Sequence, residues 1–157
     1  MSLQELVDGV NRLLQIESRS YIQYLRDAEF LAYWDNTRFE DVDADIQSTV
    51  ERVVRDETGH VDQILDLLAS IGGTPDFSTA YALEEGVYNY LRADYFLGIL
   101  IERLGDTAER FSEALVGLDS YEPVAGPMKA LLEAKRNHIA ELEALLESRQ
   151  AATAPAE

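Results

Sequence analysis

Residues 46–71 of the chain, IQSTVERVVRDETGHVDQILDLLASI, decide how the rest of the sequence is interpreted. Apolar residues recur in this stretch every three or four positions, which is the spacing of a helix with one buried face. Glu57 and His60 interrupt that apolar stripe near its middle. Because residues three apart lie on the same face of a helix, both side chains are predicted to point into the core and toward one shared point.

A carboxylate and an imidazole inside a protein core are costly unless a partner compensates them. That partner is either a metal ion or a hydrogen-bonded side chain, and a single Glu-x-x-His pair does not decide between the two. The interpretation therefore depends on whether other segments of the chain carry matching polar interruptions.

Composition limits the class of protein. The chain has 157 residues, of which 46% are hydrophobic, and this is enough for one domain with a sizeable core. We predict a single domain over residues 1–150 and a disordered tail over 151–157. Because the sequence has no cysteine, disulfides, zinc–thiolate sites and iron–sulfur clusters are excluded.

Net charge and hydropathy exclude several classes of binding partner and indicate where the protein is located. The formal net charge of −17 argues against binding to nucleic acid or to an anionic membrane, since both need Lys and Arg to neutralise phosphates. No apolar run approaches the ~20 residues that span a bilayer, and no basic segment followed by an apolar block marks a signal peptide. We therefore expect a cytoplasmic protein.

Four long amphipathic segments account for most of the chain. The first begins with a capping box at Ser2 and Glu5, and Pro127 suits the first turn of the last. We predict helices over these ranges: 3–34, 44–71, 84–116 and 127–150. Residues 72–86 form an irregular connector that is long enough to run the length of a bundle. The predicted fold is all-α, an antiparallel four-helix bundle with one long crossover between helices 2 and 3.

Each predicted helix carries a polar interruption near the middle of an apolar stripe. The interruptions are Glu17 in the first helix, Glu57 and His60 in the second, Glu102 in the third, and Lys135 and His138 in the fourth. Side chains at similar heights in a bundle converge, and buried carboxylates without a cation repel one another strongly. Because Fe and Mn accept mixed oxygen and nitrogen ligands, the sequence predicts a site for one of these metals.

The order Glu, Glu-x-x-His, Glu, x-x-His over four helices resembles the ferritin-like di-metal carboxylate superfamily, which includes bacterioferritins, rubrerythrins and manganese catalases. The segment in which Glu17 is followed seven residues later by Tyr24 is similar to the first helix of that family. The resemblance implies that Glu17 is a terminal ligand of one metal, that Glu57 bridges, and that His60 is its neighbour. By the same resemblance, the second metal takes Glu102 as its terminal carboxylate and His138 as its imidazole.

Lys135 departs from the family pattern, because the last helix of that family carries a second bridging Glu at this position. Three carboxylates and one ammonium leave a charge of −2, which one divalent ion balances. We therefore hypothesise a mononuclear or unequally occupied site, in which the Lys135 ammonium takes the place of the second cation. The alternative is a centre that has lost its metal and survives as a polar network.

The resemblance implies Fe, or alternatively Mn, with one or two ions per chain, and an oxidoreductase that acts on O₂, peroxide or Fe(II). Tyr24 and Lys135 are the candidate catalytic residues for such ferroxidase or peroxide-scavenging activity. Thr58 stands where bacterioferritins carry a haem-ligating Met, so we expect no haem. The alternative functions are an iron-storage cage subunit and a metal-free structural or interaction module. We expect a homo-oligomer, a dimer or larger.

Overall fold

The computed structural model describes residues 1–27, 44–76 and 93–153 of the chain. The regular secondary structure of these residues is entirely helical, and no strand occurs among them. The α-helices are α1 (Leu3–Ser18), α2 (Tyr21–Asp27), α3 (Ala44–Ser70), α4 (Ala93–Leu115) and α5 (Glu122–Thr153), and a short 3₁₀ helix covers Val116–Leu118. The all-α class that the sequence predicts is therefore confirmed.

The start of α1 is the predicted capping box. The Ser2 side chain accepts a hydrogen bond from the Glu5 N–H at 3.2 Å, and the Glu5 carboxylate accepts one from the Ser2 N–H at 2.6 Å. Two of the amide groups that a helix start leaves without a backbone partner are thereby satisfied.

The predicted first helix is interrupted shortly after Glu17. α1 ends at Ser18, and Ser20 Oγ then accepts a hydrogen bond from the Gln23 N–H at 3.4 Å, which caps a new helix, α2. The prediction of one continuous helix through this point was wrong, because a serine in the middle of a stripe can also act as a cap. The break lies next to a residue of the predicted site.

Gly72 and Gly73 end α3 as the sequence predicts. Gly72 adopts the left-handed conformation, with φ of 74°, which costs a glycine little. The Gly73 N–H donates to the Leu68 carbonyl at 2.8 Å, and the Gly72 N–H donates to the Ala69 carbonyl at 3.1 Å. These two bonds are those of a Schellman motif, in which the last carbonyls of a helix are satisfied.

The start of α5 differs from the prediction. The helix begins at Glu122, and Pro127 lies inside it rather than in its first turn. The Tyr121 carbonyl accepts hydrogen bonds from the Val124 and Ala125 N–H groups at 3.0 and 2.9 Å, so the helix is established before Pro127 is reached. Pro123 is the proline that takes the first-turn position, where its missing N–H costs nothing. At the other end, the helix continues to Thr153, beyond the predicted boundary at residue 150.

The helices pack so that α1 and α5 share two neighbours. α1 contacts α3 and α4, α5 contacts the same two helices, and α2 also contacts α3 and α4. Their apolar side chains form two clusters. The first cluster is built mainly from α2, α3 and α4 and includes Leu25, Val50, Phe96 and Leu97. The second is built mainly from α1, α4 and α5 and includes Leu13, Leu14, Phe111 and Met128.

Several predictions concern parts of the chain outside the described residues. They are the end of the first helix near Trp34, the connectors over residues 35–42 and 77–86, the third helix before Ala93, and the last four residues of the tail. Among the helices of the described part, none is both long enough and apolar enough to cross a lipid bilayer.

Candidate metal centre

A layer of polar side chains separates the two apolar clusters. It consists of Glu17 from α1, Glu57 and His60 from α3, and Lys135 and His138 from α5. None of these side chains belongs to a residue that is more than 9% exposed, and Glu17, Glu57 and Lys135 are fully buried. We call this set of five residues the polar layer. Burial of so many ionisable groups requires that they compensate one another.

The Lys135 ammonium lies at the centre of the polar layer. Its Nζ donates hydrogen bonds to Glu17 Oε1 at 2.7 Å and to Glu57 Oε2, and it lies 3.4 Å from His60 Nδ1. An ammonium has three N–H donors and no acceptor, and two of these donors are used by the Glu17 and Glu57 carboxylates. The Phe111 ring of α4 covers the same nitrogen, with its centroid 5.9 Å away.

Glu57 connects the centre of the layer to His138. Its second oxygen, Oε1, accepts a hydrogen bond from His138 Nδ1 at 2.6 Å. The first oxygen, Oε2, lies 3.2 Å from His60 Nδ1, so the Glu57 carboxylate contacts both imidazoles as well as the ammonium. Glu57 therefore joins α3 to α5 in the core through hydrogen bonds to both Lys135 and His138.

The charges of the layer stabilise one another. Burial acts to raise the pKa of Glu57, but hydrogen bonds from His138 and His60 and the Lys135 charge outweigh it and hold that pKa well below its usual range. Burial acts to lower the pKa of Lys135, yet the charges of Glu17 and Glu57 raise it. The carboxylate and the ammonium are therefore both ionised near neutral pH.

His60 responds to the same neighbours. Burial acts to lower the pKa of its imidazole, whereas hydrogen bonds to Glu17 and Glu57 raise it, and the result lies above the usual value of 6.5. A protonated His60 would add the positive charge that brings two carboxylates and one ammonium to neutrality.

Three of the five residues form a group that could bind a metal ion. One donor atom from each of Glu17, Glu57 and His60 lies within 4.8 Å of the others, and all three residues are buried. Two carboxylates and an imidazole suit Fe or Mn. Glu17 Oε2 is also buried without a hydrogen-bond partner among the described residues, so one acceptor of the group is unused.

This donor set fits one ion, provided that the Lys135 ammonium gives up its hydrogen bonds to the two carboxylates. The ammonium bonds the same two carboxylates that would hold the metal, so an ion and the ammonium compete for Glu17 and Glu57. A second ion would need a further bridging carboxylate, and Lys135 supplies none.

Glu102 lies outside the polar layer, which corrects the prediction that it faces inward. It is exposed on α4. The α4 sequence is apolar on two faces, and the face that packs inside carries Phe96, Leu97 and Leu100. Tyr95, which lies seven residues before Glu102 on the same helical face, is 61% exposed. The broader apolar face buries more surface, so it faces the core.

α4 instead provides an apolar wall to the polar layer. Its Phe111 ring lies over the Lys135 ammonium, and the Thr107 hydroxyl donates to the Arg103 carbonyl of its own helix at 3.0 Å.

Tyr24, the predicted catalytic tyrosine, is half-buried at the first apolar cluster, where its ring stacks on Tyr21 with centroids 5.9 Å apart.

Phe111 and Asp56 are not among the predicted site residues, although both border the polar layer. Asp56 Oδ2 lies 3.7 Å from His138 Nε2 at the protein surface. A signal for Phe111 was present, because it shares a helical face with Leu104, seven residues earlier, and both are buried. Asp56 had no such signal, since its role depends on contact with a different helix.

Comparisons of the chain with protein-family models, with curated proteins and with solved structures found no match. The resemblance to ferritin-like proteins therefore stays a prediction, and the function must be argued from the site itself.

Proposed function

We propose that the protein binds one divalent transition-metal ion, Fe or Mn, at Glu17, Glu57 and His60. The observation that carries the proposal is the buried donor group, whose three donor atoms lie within 4.8 Å of one another. The buried Glu17 Oε2 has no partner among the described residues, whereas a polar network with only a structural role normally satisfies its buried acceptors. A metal ion would supply that partner.

The contacts between helices support the ferritin-like arrangement, an antiparallel four-helix bundle with one long crossover. In such a bundle the first and last helices lie diagonally opposite each other and share the two middle helices as neighbours. α1 and α5 share α3 and α4 in this way.

Charge supports one ion rather than two. The Glu17 and Glu57 carboxylates carry two negative charges, which one divalent ion balances when it replaces the protons on Lys135 and His60. With Glu102 on the surface and a lysine at the position of the second bridging Glu, a second ion has no carboxylate of its own. The proposed centre is therefore mononuclear.

A bound Fe or Mn would supply redox chemistry toward O₂ or peroxide, as the resemblance implies, and we propose an oxidoreductase of that kind. The residues of the chain have their own parts in it. Lys135 Nζ can hold or release a proton beside the two carboxylates, and His138 fixes the orientation of Glu57 through its 2.6 Å hydrogen bond. Phe111 covers the layer on the α4 side and keeps water from it.

Metal stoichiometry tests the proposal. Protein stripped with a chelator is dialysed to equilibrium against Fe(II) without oxygen, or against Mn(II), and the metal content per chain is measured. We expect one ion per chain, lost in Glu17→Gln, because the amide is a weaker ligand and carries no charge. Glu109→Gln removes the same charge at an exposed position of α4 and should bind like the unmutated protein. Two tightly held ions per chain would contradict a mononuclear centre.

A second candidate function is a metal-free bundle that serves as a structural or interaction module. The observation that favours it is the position of Lys135, whose ammonium donates to both carboxylates and so fills the place of a cation. The same experiment separates the two functions. If the unmutated protein binds no more metal than Glu17→Gln, the metal-free network is correct and the metal centre is rejected.

A further inference from the structure

The polar layer reaches solvent at His138. The side chain of His138 is 11% exposed, whereas those of the other four residues of the layer are at most 4% exposed. An ion that enters the buried donor group must pass a side chain that borders solvent, and within the layer His138 is the one that does so.

Asp56 extends this contact to the surface. His138 Nδ1 bonds Glu57 Oε1 at 2.6 Å, and on the other edge of the ring Nε2 lies 3.7 Å from Asp56 Oδ2. The Asp56 side chain is 42% exposed. A carboxylate, an imidazole and a second carboxylate therefore follow one another from solvent to the donor group, and each is a ligand type that divalent transition metals accept.

Arg52 lies across the outer end of this series. Its Nη1 is 3.8 Å from Asp56 Oδ2, the same oxygen that approaches His138. Its Nη2 donates to Glu141 of α5, so the guanidinium links α3 to α5 at the surface. Arg52 is 39% exposed, and ion pairs of this exposure are weak enough to open often.

We infer that Asp56 and His138 form the path by which a divalent cation reaches Glu57, and that Arg52 closes the path. The inference rests on the proposed metal centre. The net charge of −17 attracts cations to the whole surface, and Asp56 collects them at the position where the layer borders solvent. A cation at Asp56 displaces the Arg52 guanidinium and then meets His138.

The rate of metal uptake tests the path. Co²⁺ is mixed with metal-free protein at low ionic strength in a stopped-flow instrument, and its visible absorption reports entry into the donor group. Since a charged surface group can change the entry rate of an ion by a factor of 10 or more, we expect uptake to be about tenfold slower in Asp56→Asn. The matched control is Asp62→Asn, which removes the same charge at an exposed position of α3 and should leave the rate within about twofold. Arg52→Gln should accelerate uptake.

The rate of ion release shows whether Asp56 lies on the entry path or strengthens metal binding at the donor group. Loaded protein is mixed with excess chelator, and the decay of the Co²⁺ absorption is followed. If Asp56 lies on the path, Asp56→Asn slows release as well as uptake, because both directions cross the same barrier. If Asp56 instead strengthened binding at the donor group, its removal would accelerate release.

The outcomes are distinct for the path and for the metal centre. Equal uptake rates in Asp56→Asn and Asp62→Asn, or faster release from Asp56→Asn, would overturn the path and leave the metal centre intact. No Co²⁺ signal from the unmutated protein would overturn both. Slower uptake and slower release in Asp56→Asn, with faster uptake in Arg52→Gln, would support the path.

Discussion

The polar layer and the two apolar clusters are built by the same helices, yet different forces stabilise them. Burial of side chains such as Leu13 and Leu97 stabilises the fold by about 1.5–3 kcal/mol each. In the layer, Glu17, Glu57 and Lys135 lose their hydration, and their mutual attraction only roughly offsets that loss. The clusters therefore explain why the chain folds, whereas the layer has no comparable stabilising reason to exist and indicates a function.

The largest effect that would sharpen this contrast is expected for Lys135→Met. Methionine fills a similar volume, but Glu17 and Glu57 then face each other in the core without the ammonium that bonds both. Removing one partner of a buried ion pair destabilises a protein by about 3–5 kcal/mol, and we expect a loss of that size in the free energy of unfolding. Urea denaturation at neutral pH, with a chelator present, measures it.

Lys129→Met is the control for Lys135→Met. Lys129 lies on the same helix, 51% exposed, and pairs with Asp119 at 3.0 Å, so its loss should change the free energy of unfolding by about 0–1 kcal/mol. Mn²⁺ should restore more stability to Lys135→Met than it adds to the unmutated protein, because the ion supplies the missing positive charge. Equal losses of unfolding free energy in Lys135→Met and Lys129→Met would show that the Lys135 ammonium does not stabilise the buried carboxylates.

The sequence predicts best what local interactions decide. The apolar stripe of α3, its Gly72 stop and the capping box at Ser2 depend on neighbours within a few residues, and all three are confirmed. The prediction that polar side chains from different helices converge needed only regular helices of matched length, and the structure brings Glu17, Glu57 and Lys135 together.

Predictions failed where a segment of the sequence is equally compatible with two local structures. α4 is apolar on two faces, so its sequence does not decide whether Glu102 or Leu100 points inward, and packing against the other helices decides it. Pro123 and Pro127 can each occupy the first turn of α5, and hydrogen bonds to the Tyr121 carbonyl select the earlier start. The break before Ser20 was missed for the same reason, since serine is compatible with a helix and with a cap.

A smaller effect is expected from pH, because the layer titrates and the clusters do not. The lowered pKa of Glu57 adds stability that is complete above the usual value of 4.5 and is lost as the pH falls below it. The raised pKa of His60 adds stability that is complete below 6.5 and is lost as the pH rises through the raised value. The stability that the layer contributes should therefore be greatest between these two values.

The comparison of the unmutated protein with Glu57→Gln isolates this contribution, because both chains share every surface carboxylate. Free energies of unfolding are measured by urea denaturation in chelator from about pH 3 to pH 9. The advantage of the unmutated protein over Glu57→Gln should shrink on acidification below pH 4.5. An advantage that stays constant through that range would mean that the carboxylate is not held ionised by its neighbours.

The smallest effect is expected for Glu102→Gln, and it tests which face of α4 belongs to the core. Because Glu102 is exposed, its substitution should change the free energy of unfolding by less than about 0.5 kcal/mol and leave the metal content unchanged. Glu17→Gln carries the same chemical change into the polar layer, where the amide replaces a carboxylate that bonds Lys135. If Glu102→Gln instead lowered the metal content as much as Glu17→Gln does, α4 would have to present its other face to the layer. Phe111 and Leu100 would then lie outside the core, so truncating either of them to Ala would cost little stability, whereas truncating a buried Phe or Leu costs about 2–5 kcal/mol.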